Sequence, residues 1–217
     1  MKLGIIIPYY NNSEVCKKNF KLLMEVIKKQ LSDDMILFIY EDGQYSEWLE
    51  NYIGYKNIFI FGDKINRGVS YARNKGLEFF FHPEEHVDYI LFLDSDDMID
   101  KYYLILMYKA MLDSNADILE SRLFIRDKLY KYDDHDIRDG VCGQCIRADL
   151  IKDIRFNENI CIGEDTLFMK ELWNRYKIKK KLVETNYYYN LGDNIKSLWM
   201  RYKRHEIDKD KILNSIN

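Results

Sequence analysis

The chain has 217 residues, 47% of them hydrophobic and 32% charged, enough apolar material for one sizeable core. Its formal net charge of −3 gives no reason to expect general binding to nucleic acid or to an acidic membrane surface. With 2 prolines and 10 glycines it is not a disordered linker, and no apolar run approaches the ~20 residues that span a bilayer.

Met1-Lys2-Leu3-Gly4-Ile5 runs straight into a strand without a signal-peptide layout, so the expected compartment is the cytoplasm. Leu3–Ile7 reads as a buried strand, closed by Pro8-Tyr9-Tyr10-Asn11-Asn12. Ser13 and Glu14 open a helix to about Gln30, with Val15, Leu22, Leu23, Val26 and Ile27 on its apolar side. Met35–Tyr40 is a second strand and ends in Glu41-Asp42-Gly43. Ser46–Tyr52 reads as a short helix, Asn57–Phe61 as a third strand, and Arg67 to about Phe81 as a helix. Val87–Leu93 is a fourth strand, Asp100–Ser114 a helix capped by Asp100, and Asp117–Ser121 a fifth strand. This alternation predicts an α/β fold with a mostly parallel sheet and right-handed crossovers. Leu123–Tyr132 then reads as a strand or hairpin arm, Val141–Ile146 as a strand and Ala148–Ile154 as a short helix. Thr166–Tyr176 is an amphipathic helix, Lys180–Tyr189 a strand, and Leu198 to about Ile216 a charged helix or tail. No linker marks residue 121, so one domain over 1–217 is expected, with lobes of about 1–121 and 122–217.

The fourth strand stops at Asp94-Ser95-Asp96-Asp97. Three carboxylates in four residues repel one another unless positive charge sits among them. A divalent cation with a bound diphosphate supplies it, because hard cations take oxygen ligands and bridge phosphates. A parallel sheet brings the turns at 8–11, 41–43 and 94–97 to one edge, as a nucleotide crevice requires. In Asn66–Asn74, Gly68 permits close backbone approach, and amides at the helix start favour an anion. Arg67 and Arg73 can meet phosphate or orient the aspartates.

Taken together, these segments resemble glycosyltransferase family 2, the nucleotide-sugar transferases with the GT-A fold. The resemblance rests on Pro8-Tyr9-Tyr10-Asn11, Glu41-Asp42-Gly43-Gln44, residues 66–74, Asp94-Ser95-Asp96-Asp97 and Glu164-Asp165. It implies a GT-A fold with a nucleotide-sugar lobe and a smaller acceptor-side lobe. It implies that Asp42 holds the base, with Pro8 and Tyr10 lining its pocket and Asn11, Glu41, Asn66 and Gly68 in the donor-binding set. Asp94 and Ser95 would contact the donor, Arg73 would sit beside it, and Asp96 would ligate Mn²⁺ or Mg²⁺. Asp165 would act as general base for an inverting transfer, with Glu164 beside it and Gly143 letting the acceptor approach the backbone. The implied donor is a UDP-sugar, and the acceptor is a saccharide, a lipid-linked group or a protein. The Gln-x-x-Arg-Trp pattern of processive synthases is absent, which points to single addition. Leu191–Leu198 stands where such proteins carry a loop over the donor, and His205 is a candidate late metal ligand. Cys142 and Cys145 have C-x-x-C spacing, but no second pair follows, so they read as reduced thiols rather than a zinc or redox site. The alternatives are a nucleotidyltransferase, whose Gly-rich basic loop Pro8–Asn12 lacks, and an inactive nucleotide-sugar-binding module.

Overall fold

The computed structural model describes residues 1–10, 13–125, 128–129 and 140–189. Its elements run β1 (Leu3–Tyr9), α1 (Glu14–Lys28), β2 (Met35–Asp42), β3 (Ile58–Asp63), α2 (Val69–Phe80), β4 (Tyr89–Phe92) and β5 (Met98–Ile99). They continue α3 (Tyr103–Leu112), β6 (Ile118–Ile125), β7 (Lys128–Leu129), β8 (Gln144–Arg147), α4 (Glu164–Arg175) and β9 (Lys180–Tyr189). The expected short helices at 46–52 and 148–154 are 3-10 turns, Glu47–Tyr52 and Ala148–Leu150. The expected elements after residue 189 lie outside the described residues.

β3, β2, β1 and β4 form a parallel block in that order. Every residue of β1, β2 and β4 is buried, as strands covered on both faces must be. α1 is capped by Ser13, whose hydroxyl accepts the Cys16 amide at 3.2 Å. Its buried stripe is Cys16, Phe20, Leu23, Met24 and Ile27, whereas Val15 and Leu22 are exposed. Positions 16, 20, 23, 24 and 27 follow helical spacing more closely than the stripe expected from the sequence, so Phe20 faces inward. There it meets Tyr9 of β1, with ring centroids 4.3 Å apart. α2 sits very close to β1. A Cβ on Gly76 would lie 2.8 Å from Ile6, and one on Gly4 would lie 3.0 Å from Phe80. These two hydrogens in place of side chains let the second half of the helix approach the strand.

The second half joins the same sheet by a different rule. β8 enters antiparallel between β4 and β6. The strand expected at 117–121 is therefore one place removed from the parallel block. β9 runs parallel to β6, with a register irregularity between Ser121 and Arg122, and β5 pairs antiparallel with β9. β7 folds back on β6 as the expected hairpin arm. Asp100 does not cap α3. Its carboxylate instead accepts the Asn186 amide and the Tyr188 hydroxyl, each at 2.9 Å, and the cap position is Tyr102. A strand 86–88 residues downstream thus out-competes the local helix end for that carboxylate. Among the described residues no helix is long and apolar enough to cross a membrane.

Candidate active site

The carboxyl ends of β1, β2 and β4 point to one edge. Strand spacing sets the ends of β2 and β4 about 10 Å apart, across β1. Asp42 closes β2, and Asp94–Asp97 follows β4. Pro8 is buried in β1, and Tyr10, just beyond its end, is 42% exposed. Asn11 lies outside the described residues.

Asp42, expected to hold a base, is buried and engaged within the chain. Its two carboxylate oxygens accept the Arg67 amide at 2.7 Å and the Gly68 amide at 2.8 Å. The helix-start amides expected to attract a ligand anion are thus already occupied by a side-chain anion. Physically this is the same preference, satisfied from within the chain. Gly43 brings the two loops together. Its φ is +93°, and a Cβ there would lie 2.6 Å from the Asn66 Cβ. Asn66 itself is exposed. Arg67 pairs with Asp63 and stacks on Tyr71 at 4.7 Å.

Glu41, grouped with Asp42 in the expected donor set, points to the opposite face of β2. It is buried beside Ser46, beneath the turn that follows Gly43. Burial pushes its carboxyl above the ordinary glutamate range, and the neighbouring Ser46 only partly opposes that. Between the ordinary and the raised value, the unfolded chain has lost this proton while the folded chain retains it. The resulting stabilisation is complete below the unfolded pKa and is lost as pH rises through the folded one. Glu41→Gln is therefore expected to raise Tm at neutral pH and to lose that advantage near about pH 4. Melting both proteins across pH checks this; a Tm difference independent of pH would refute it.

The two halves of the chain meet at Arg73. Its side chain is 3% exposed and donates to Asp94 and Glu164, each at 2.9 Å. A further contact of 3.4 Å reaches the Cys142 sulfur. Burial opposes its charge, but Asp94, Cys142, Glu164 and Asp165 more than offset that and hold its pKa well above the ordinary value. Glu164 and Asp165 open α4, and the Asp165 carboxylate accepts the Thr166 amide at 2.8 Å. The expected residues Arg73, Asp94, Glu164 and Asp165 thus gather around one guanidinium.

In the turn after β4, Asp94, Ser95 and Asp96 are partly exposed while Asp97 is buried. Among the described residues no group of three or more His, Cys, Asp or Glu side chains could by itself hold a metal ion. Asp96 and Asp94 are partly exposed carboxylates of the turn, and one Asp94 oxygen already accepts from Arg73 at 2.9 Å. His205 and Leu191–Leu198 lie outside the described residues.

Gly143 does not open the backbone to an acceptor. It is buried, its amide donates to Phe92 O at 2.8 Å, and its carbonyl accepts the Tyr103 hydroxyl at 3.1 Å. The cause is β8, which packs against β4 and turns this glycine inward. Cys142 and Cys145 are also buried, and burial pushes both thiols up, away from the thiolate that metal or redox chemistry needs. Tyr187 escapes sequence reasoning altogether. Its hydroxyl accepts the Asp94 amide at 3.2 Å and donates to the Asp97 carboxylate. Nothing near Tyr187 in the chain signals a partner so far away.

The model of glycosyl transferase family 2 matches residues 4–204. The chain belongs to glycosyl transferase family 2. It is 31% identical over 128 residues to a cholesterol galactosyltransferase of Borreliella burgdorferi, covering 57% of this chain and 33% of that protein. It is 26% identical over 129 residues to the poly(ribitol-phosphate) beta-N-acetylglucosaminyltransferase TarP of Staphylococcus aureus, covering 58% of this chain and 38% of that protein. The chain thus spans well under half the length of the curated relatives it matches. The crystal structure of S. aureus TarS 1–349 in complex with UDP-GlcNAc superposes with a TM-score of 0.71 at 21% identity, covering 91% of this chain and 61% of that one. The fold of this family 2 chain is the GT-A fold of such glycosyltransferases. Its parallel block and inserted β8 are that architecture in residue terms.

Proposed function

We propose that this chain transfers a sugar from a UDP-sugar to an acceptor hydroxyl, with inversion, one addition at a time and with a divalent cation. The observation that carries the reading is the Arg73 junction, which couples Asp94 at the end of the first lobe to Glu164 and Asp165 at the start of α4. Support also comes from family membership, from relatives named as galactosyl- and N-acetylglucosaminyltransferases, and from TarS crystallised with UDP-GlcNAc.

In this reading the base lies against Tyr10 and Pro8, at the loop pair that Asp42 and Gly43 hold together. Asp94 and Ser95 meet the donor, and Asp96, with Asp94, would hold Mn²⁺ or Mg²⁺. Such an ion neutralises the charge that develops on the diphosphate leaving group. Asp165 takes the proton of the acceptor hydroxyl as its oxygen bonds to the anomeric carbon. The bond from that carbon to the phosphate oxygen breaks on the opposite face, and UDP departs. Glu164 keeps to its ion pair with Arg73 and leaves the proton transfer to Asp165. The acceptor is a saccharide, a lipid-linked group or a protein.

A panel of UDP-sugars, assayed for UDP release with Mn²⁺, Mg²⁺ and EDTA, tests the activity. Asp96→Ala is expected to remove the gain in donor affinity that metal provides, with little effect on affinity in EDTA. Calorimetric titration of UDP decides it, and an unchanged metal-linked gain in the variant would remove Asp96 from the cation site. Pyrophosphate release from a nucleoside triphosphate would instead favour nucleotidyl transfer.

A further inference from the structure

We propose that Tyr187 is a positioning residue for the Asp94–Asp97 turn. It acts through Asp94 and Asp97, and this rests on the reading of that turn as the donor's cation site. Tyr187 is fully buried, so its phenol cannot touch a donor. Its hydroxyl binds both ends of the turn, accepting from the Asp94 amide at 3.2 Å and donating to the Asp97 carboxylate. Within the turn the Asp97 amide closes on Asp94 O at 3.3 Å. Asp97 is 2% exposed and faces this hydroxyl, while Asp94, Ser95 and Asp96 keep partial exposure. The fourth letter of the acidic run is therefore an anchor, and the first three face the crevice.

The rest of β9 braces the same segment. Met98 pairs with Tyr188, and Asp100 accepts the Asn186 amide and the Tyr188 hydroxyl, each at 2.9 Å. With β5 and β9 zipped, the Tyr187 hydroxyl is held against both ends of the turn. Without it, the buried Asp97 carboxylate loses the Tyr187 donor and the Asp94 amide loses its acceptor, and the turn relaxes to compensate. Relaxation moves Asp94 and Asp96 relative to each other, and cation affinity depends on that spacing.

The test titrates UDP calorimetrically in EDTA and in Mn²⁺, for wild type and Tyr187→Phe, with melting curves for both. Wild type is expected to bind UDP more tightly with Mn²⁺. Tyr187→Phe is expected to keep its affinity in EDTA and to lose about tenfold of the Mn²⁺-linked gain, the scale of other outer-shell changes. A purely structural role would lower Tm and leave that gain intact, and this result overturns the proposal. If Tyr187→Phe does not fold, Asp97→Asn and Asp97→Ala replace it. Asn still accepts from the Tyr187 hydroxyl and must keep more of the gain than Ala; equal losses overturn the proposal. Absence of any Mn²⁺-linked gain in wild type would sink the cation reading and this proposal with it, and the wild-type titration alone distinguishes that failure.

Discussion

Arg73→Leu is expected to lose about 3–5 kcal/mol of stability, the usual cost of removing one partner from a buried ion pair. Two carboxylates depend on this guanidinium, and both are mostly buried: the side chains of Asp94 and Glu164 are 23% and 10% exposed. Leucine matches much of the volume but leaves both charges uncompensated. A loss of that size is a large share of the roughly 5–15 kcal/mol that holds a domain together. Arg73→Lys keeps the charge, but an ammonium cannot fork to two acceptors in fixed directions, so it should recover only part of the loss. Urea unfolding of the three proteins measures this. A leucine variant within about 1 kcal/mol of wild type would show that the junction contributes no more than an ordinary surface pair.

Asp165→Asn is expected to reduce sugar transfer by about 10²–10⁴-fold, the range a positioned general base supplies. Asparagine retains a carbonyl oxygen for the Thr166 amide, which Asp165 accepts at 2.8 Å, so the start of α4 should survive. UDP affinity should therefore stay within a few-fold of wild type. Glu164→Gln is the informative comparison, because it weakens the bond to Arg73 and leaves the base in place. It should cost stability more than turnover per folded molecule. The assignment is falsified if Asp165→Asn transfers sugar within about tenfold of wild type.

The parts of this protein that could be read early share one property: the signal is local. β1, β2 and β4 are unbroken apolar runs that stop at turn residues, and they are buried strands. Residues 66–74 open a helix, and the Ser13 cap opens another. The misread features are those that packing or strand geometry decided. Asp100 looked like a helix cap and serves β9 instead. Gly143 looked like an open approach and is closed by β4 and Tyr103. Glu41 sits next to Asp42 in the chain but on the other face of the strand, because successive strand residues point oppositely.

By itself the sequence determined the class of fold, the order of the turns and which turns carry acid. Those follow from periodicity and from the stopping power of Pro, Asn and Gly, which act over a few residues. Only the tertiary structure decided what each acidic group does. Asp42 folds a loop, Asp94 and Glu164 share one arginine, and Asp97 anchors to Tyr187. A buried charge must find its counterpart wherever packing brings one, and packing brought these together from positions up to 91 residues apart.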